Sequence, residues 1–291
     1  MHTVVNFSPE LGSWITAHLD SGHTPTQLIE VMQAQQMEAA AAQAIMAAFV
    51  KARRNGHALP LQQVPLHVGV DTDALVHLPA THVINTHDRR ITVTARAARP
   101  ALALLSNVLS AAECAELIAL ARPRLHASTI VDRHSGADII SPTRSSQGMF
   151  FRLKENPFIA GLDRRLAEIM NLPLENGEGI QILYYPNGAG SAPHYDFLLP
   201  ETDAVRASLA RSGQRCSTLV CYLNEVEAGG ETVFPETDWR IAPIPGNALY
   251  FEYVAADGTL DYRSLHASSP VQAGEKWVAT KWMREKAFVS A

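Results

Sequence analysis

Two residues set the chemical question. His194 and Asp196 stand two apart in "GAGSAPHYDFLLP" (residues 188–200), among aromatic and aliphatic neighbours, in a chain that carries 12 histidines. On an extended strand, residues i and i+2 project from one face roughly 7 Å apart. The imidazole and the carboxylate would then reach the same interior, with Tyr195 turned away. One more histidine from a neighbouring strand completes a two-histidine, one-carboxylate set, which grips Fe(II) on one side and leaves the other positions open. His266, in "RSLHASSPV", is the one histidine C-terminal to His194. A hydrogen-bonded polar pair on a strand accounts for His194 and Asp196 equally well, so both readings stand at this point.

Lys276 lies in "AGEKWVATKWMRE". Alternation puts Lys276, Val278, Thr280 and Trp282 on one face and Trp277 and Lys281 on the other. An ammonium on the inner face of an apolar strand is costly unless an anion meets it. The competing reading is a lysine that ends its strand and extends to water.

The elements that must position these groups are legible in outline. From Gly179 onward, short apolar or alternating runs ("GIQILYYP", "PHYDFLLP", "RCSTLVCYLNEV", "ETVFP", "NALYFEYV", "LDYRSLHASSPV", "KWVATKWMRE") are separated by glycine-rich turns. Strands at that spacing without intervening helices imply an antiparallel sandwich or barrel. Upstream, "SAAECAELIALARPRL" reads as a helix opened by a capping box, Ser110 with Glu113, and "PFIAGLDRRLAEIMN" as another. Residues 1–56 read as a small helical module: one helix around Trp14 to Leu19, one begun by Thr24-Pro25, and one from about Met37 to Arg54, stopped at Asn55-Gly56. Residues 57–100, broken by Pro60, Pro65, Pro79 and Pro100, read as a connector with a hairpin around "THDRR". The fold class expected is α+β.

Composition narrows the function classes. A hydrophobic content of 47%, charged content of 18% and net charge of −5 describe a globular protein without a basic stripe, which argues against a nucleic-acid partner. The most apolar segment, "MEAAAAQAIMAAFV", is too short for a bilayer and carries Glu38, so no membrane partner is expected. Three cysteines, Cys114, Cys216 and Cys221, without a CxxC pair suit a reduced compartment, and a cytoplasmic location is the plain expectation.

The segments "QILYYPNGAGSAPHYDF", "GQRCSTLVCYLNEVEAGGETVFP", "PGNALYFEYV" and "SLHASSPVQAGEKWVATKWM" together resemble the catalytic core of the prolyl 4-hydroxylase branch of the Fe(II)/2-oxoglutarate-dependent dioxygenases. "LSAAECAELIALARPRLHASTIVD" and "ISPTRSSQGMFF" resemble the start of that domain, and the likeness covers roughly residues 100–286. The resemblance implies a double-stranded β-helix (jelly roll) with flanking helices over residues 101–291, and Fe(II), 2-oxoglutarate and O2 as cofactor and cosubstrates, with ascorbate as a candidate reductant. It implies that His194, Asp196 and His266 ligate the iron. It implies that Lys276, ten residues beyond the distal histidine, binds the far carboxylate of 2-oxoglutarate. Tyr185, Thr218 and Trp282 match residues around that cosubstrate. Arg144, Ser146 and Glu178 match positions near a peptide substrate.

The implied reaction is hydroxylation of an unactivated C–H bond, first of all in peptidyl proline. One departure bears on the substrate: Arg284 stands where related prolyl hydroxylases often carry a substrate-side histidine. The same chemistry on a free amino acid, another protein side chain or a small metabolite is therefore an alternative. A non-catalytic, cupin-like metal-binding module is a third, which the dicarboxylate anchor Lys276 disfavours. The N-terminal helices are expected to serve protein contacts or dimerisation.

Overall fold

The computed structural model describes residues 4–21, 23, 25–54, 58–65, 75–127, 129–131, 138–140, 146–255 and 258–290. The chain divides into two units, residues 1–73 with 254–260, and residues 74–253 with 261–291.

The first unit contains helices Pro9–Asp20, Pro25–Ala34 and Ala39–Arg54, with an antiparallel strand pair, Val4–Asn6 against Gln63–Pro65, that the sequence pattern did not announce. Ser8 caps the first helix by accepting from the Leu11 N–H, and Pro9 occupies the first turn, where a missing N–H costs nothing. Ile15, Leu28, Met32, Ile45, Met46 and Phe49 meet at helical spacing in a core of their own. The third helix begins at Ala39, two residues later than its apolar pattern, and the expected stop at Asn55-Gly56 lies outside the described residues.

The second unit is built on a nine-stranded antiparallel sheet in the order Val83–Asn85, Arg90–Ala98, Ala101–Ser106, Ala248–Glu252, Arg215–Tyr222, Lys276–Arg284, Gln181–Tyr185, Gln147–Phe150, His126–Ala127. A four-stranded sheet, ordered Ser191–His194, His266–Ser268, Thr232–Phe234, Trp239–Ile241, faces it. The hairpin expected around "THDRR" is present, and its second strand joins it to the large sheet by pairing with Ala101–Ser106. In the "EAGGE" turn, Gly229 and Gly230 hold φ of +73° and +70°, which side chains rarely adopt. A Cβ on Gly229 would lie 2.3 Å from Pro270 O, so the turn can pass its neighbour only as glycine.

The expectation of strands without helices after Gly179 is corrected by helix Asp203–Ser212, inserted between strands Ser191–His194 and Arg215–Tyr222. Thr202 caps it through the Val205 N–H, and Gly213 ends it with φ +71°. That cap and stop were both in the sequence, but the helix is short and polar, with only Val205 and Leu209 at helical spacing to reveal it.

Strand Lys276–Arg284 is buried along its whole length because both of its faces are covered. Trp277, Ala279 and Met283 pack outward against helices Ala111–Ala121 and Pro157–Met170, through Cys114, Leu117, Ile159, Leu162, Leu166 and Ile169. Each such side chain contributes roughly 2 kcal/mol on leaving water, so helix docking is mainly apolar. Helix Ala111–Ala121 carries the capping box of Ser110 and Glu113 in full. One polar anchor crosses the same interface: the Lys281 ammonium donates to Asp163 Oδ1 at 2.8 Å, with both side chains completely buried. Asp163 Oδ2 in turn accepts the Lys154 N–H, so the carboxylate is satisfied on both sides.

Removing one partner of a closed pair strands the other charge. Asp163→Ala is expected to cost roughly 3–5 kcal/mol in urea denaturation, whereas the double change Asp163→Leu with Lys281→Met recovers most of it. Equal losses in the single and double variants would refute the stranded-charge account.

Candidate active site

Strand Ser191–His194 ends at its histidine, so Asp196 lies in the bend beyond it and not on the strand, as alternation had implied. The convergence survives by another route. His194 pairs across the ladder with His266, and their rings stand 4.4 Å apart. His194 Nε2 lies 3.8 Å from Asp196 Oδ1, and His266 Nε2 lies 3.6 Å from Asp196 Oδ2. The three potential ligand atoms fall within 4.8 Å of one another. Tyr195 turns aside, stacked on Phe197 at 4.6 Å and edge-on to Tyr262.

The surroundings prepare these groups as ligands. His194 Nδ1 lies 3.0 Å from Ala192 O and His266 Nδ1 lies 3.0 Å from Ser264 O. A carbonyl only accepts, so each Nδ1 must carry a proton and each Nε2 is the nitrogen that faces the common centre. Burial alone would raise the Asp196 carboxyl, but the positive character of His266, His194 and Arg215 outweighs it and holds the group well below the usual carboxylate range. The Thr218 hydroxyl donates to Asp196 Oδ2 at 2.7 Å, fixing the carboxylate's rotation. Two imidazoles presenting Nε2 and one ionised carboxylate fit Fe(II).

Thr218, expected against the cosubstrate, here bonds Asp196, one of the three candidate metal-binding side chains. A β-bulge explains how. The register of strand Arg215–Tyr222 against Lys276–Arg284 slips between Arg215 and Ser217, so Arg215 and Thr218 both reach Asp196 although they stand an odd number of positions apart. Arg215 donates to the Asp196 carbonyl at 3.2 Å and lies over the Trp282 ring at 4.1 Å. It also grips Glu178 with two bonds, at 2.7 and 2.8 Å. Sequence reasoning missed Arg215, because simple alternation cannot place a residue on the far side of a bulge.

Glu178 and Arg284, expected beside the substrate, are buried and joined in this ion-pair network. Arg284 donates to Glu178 Oε1 at 3.1 Å and to Ser208 O and Gly213 O at the end of helix Asp203–Ser212. Its guanidinium closes that helix end. Ser146 is buried, and Arg144 lies outside the described residues.

Lys276, Val278, Thr280 and Trp282 line one pocket with Tyr185 and the three ligand residues, on the face alternation assigned them. Lys276 is 2% exposed and sits across from Tyr185, its ammonium 5.3 Å from the phenol ring. It donates to Ser268 Oγ at 2.8 Å. Burial pushes the ammonium down to about 7, against the pull of Glu231. An ammonium buried this way and met by a hydroxyl is suited to a charge-assisted bond with a carboxylate.

A jelly-roll-like sandwich with a His-Asp-His centre facing a buried lysine defines an Fe(II)/2-oxoglutarate oxygenase. Residues 180–284 match the 2OG-Fe(II) oxygenase superfamily. Among curated relatives, a probable prolyl 4-hydroxylase 3 of Arabidopsis thaliana is 37% identical over 196 residues, 61% of this chain and 67% of that protein. Prolyl 4-hydroxylase 1 of the same plant is 39% identical over 203 residues, 65% and 70% of the two chains. Among solved structures, the viral collagen prolyl hydroxylase of Paramecium Bursaria Chlorella virus-1, in complex with 2-oxoglutarate, superposes with a TM-score of 0.50 at 28% identity, over 63% of this chain and 95% of that one. The chain belongs to the prolyl 4-hydroxylase family of 2OG-Fe(II) oxygenases, whose cofactor and cosubstrates are Fe(II), 2-oxoglutarate and O2.

Thr218→Val keeps the shape and removes the hydroxyl that orients Asp196. It is expected to weaken metal binding roughly 10- to 100-fold, read by titrating Co(II) as a spectroscopic substitute, while His194→Ala abolishes both metal binding and 2-oxoglutarate turnover. Unchanged Co(II) affinity in the valine variant would remove Thr218 from the site.

Proposed function

We propose that this oxygenase hydroxylates proline residues in peptides. The observation that carries the reading is one pocket holding a His-Asp-His centre and, at its other end, the buried Lys276 ammonium, in a chain whose relatives are named prolyl 4-hydroxylases. His194, Asp196 and His266 would hold Fe(II). Lys276, with Ser268 and Tyr185 beside it, would hold the far carboxylate of 2-oxoglutarate through charge-assisted hydrogen bonds. When bound, these groups supply the O2-dependent hydroxylation of an unactivated C–H bond, with 2-oxoglutarate leaving as succinate and CO2.

The chain's own contribution is geometric and electrostatic. Nδ1–H bonds and the Thr218 hydroxyl orient the ligands, Val278 and Val220 dry the pocket wall, and Arg215 holds Trp282 against the pocket. Ascorbate is the reductant this reading assigns. The N-terminal helices contribute none of the residues named for the site and are assigned contacts with other protein.

A second reading, the same chemistry on a free amino acid or another side chain, is favoured by Arg284. The guanidinium is committed to Glu178 and a helix end, so a substrate contact made at that position by a histidine elsewhere is absent here. Mass spectrometry decides: a +16 Da shift on proline of a Ser-Pro repeat peptide, matched by succinate release, supports the peptide reading. Hydroxylation of free amino acids alone overturns it.

Lys276 also sets a pH dependence. With the empty-site ammonium at about 7 against an ordinary 10.5, the bound dicarboxylate needs a proton that the free enzyme progressively lacks above pH 7. Apparent 2-oxoglutarate affinity should therefore be greatest below that pH and fall as pH rises through it, with proton uptake visible in calorimetry. Between about 7 and 10.5 the unfolded chain holds the proton that the ligand-free fold has released, so stability of the ligand-free protein rises with pH across that window. A flat affinity profile from pH 6 to 9 would contradict the assignment.

A further inference from the structure

The first unit holds a pair of histidines at the end of helix Pro9–Asp20 that none of the roles above uses. His18 lies in the last turn and is half-buried, and His23, five residues on, is exposed. Their rings stand 5.0 Å apart, centre to centre, at 65° to one another. The Trp14 ring packs against His18 at 4.4 Å and steadies it.

Hydrogen bonds decide which nitrogen each ring offers. His18 Nδ1 lies 2.8 Å from Trp14 O, and a carbonyl only accepts, so that nitrogen carries a proton. The Ser21 hydroxyl donates to His18 O at 2.9 Å, which commits its one proton. His23 Nδ1, 3.0 Å from Ser21 Oγ and 3.3 Å from His18 O, therefore faces two acceptors and must donate as well. In the neutral rings the lone pair then falls on Nε2 in both. An Nδ1–H tied to a fixed acceptor is the usual support of a metal-bound histidine.

The spacing of the rings suits one shared ion. With a metal–nitrogen bond of about 2.1 Å, an imidazole centre lies about 3.2 Å from its ion, so two such centres stand about 5.2 Å apart at the tetrahedral angle and about 4.5 Å apart at a right angle. His18 and His23, at 5.0 Å, match the tetrahedral value. His194 and His266, at 4.4 Å, match the right angle between neighbours in an octahedral centre. Among the described residues no third histidine, cysteine or carboxylate joins His18 and His23, and Asp20 gives its Oδ1 to Arg53 at 2.5 Å. Water must complete the shell.

We propose that His18 and His23 form a second metal site, on the surface of the helical unit, for a divalent cation of the Zn(II) class. Two neutral imidazoles without a carboxylate suit Zn(II), Ni(II) or Cu(II), whereas Fe(II) stands low in the affinity order of such ligands. The bound ion clamps the end of helix Pro9–Asp20 to the chain that leaves it.

Equilibrium dialysis of the full chain against Zn(II) alone tests the assignment. The wild-type protein is expected to take up two ions, because Zn(II) also fits the set of His194, Asp196 and His266. His23→Ala changes an exposed side chain outside the helix. It is expected to weaken one of the two ions roughly 100-fold, because a second ligand on the same chain acts at high effective concentration. His18→Ala has the same effect, and His194→Ala removes the other ion while sparing this one. The proposal is overturned by a wild-type chain that takes up a single ion. It is equally overturned if both ions keep their affinity in either His18→Ala or His23→Ala.

Discussion

Three cations on one buried strand govern this structure. Lys276, Lys281 and Arg284 all lie on Lys276–Arg284, which has no exposed residue, and a charge in such a place must be answered. Lys281 is answered from the helix side by Asp163, and Arg284 from the strand end by Glu178 and two carbonyls. Lys276 is met by the Ser268 hydroxyl. The first two contacts are closed, hold the helices to the sheet and leave little for chemistry. The third has only a neutral hydroxyl bonded to it, and burial lowers its affinity for a proton.

The same division runs through the acidic groups. Glu178 is consumed by Arg215 and Arg284, and Glu252 by the N–H groups of Val76, His77 and Leu78 and the Tyr250 hydroxyl. Asp196 is held differently. One oxygen takes the Thr218 hydroxyl, and both face imidazole nitrogens that repel one another unless something positive or protic lies between them. Arg215 links the two systems, gripping Glu178 on one side while donating to the Asp196 carbonyl on the other. This charge network therefore also braces the backbone at Asp196.

Much of this was legible in the chain because strands impose a period of two. Lys276, Val278, Thr280 and Trp282 faced the pocket as alternation required, with Trp277 and Lys281 on the helix side. The capping box at Ser110 and Glu113 and the glycine turn at Gly229-Gly230 were local rules obeyed locally. What alternation could not reach were the irregular places. His194 ends its strand, so Asp196 converges through a bend, and the Arg215 bulge resets the register. Helix Asp203–Ser212 was hidden because it is short and polar, with only Val205 and Leu209 to mark an apolar face.

The sequence by itself determined the chemical identity of the site: two histidines, one aspartate and a distal lysine, in an order and spacing that named a family before any coordinate was known. That information is carried by residue type and by short-range periodicity, which a linear string contains. Only the tertiary structure decided which charged residues are spent and which are available. Glu178 and Arg284 look as functional as Lys276 when read along the chain. Whether a charge is neutralised depends on partners up to about a hundred residues away, as with Arg284 and Glu178 at a separation of 106. Those partners are chosen by how the sheets and helices pack.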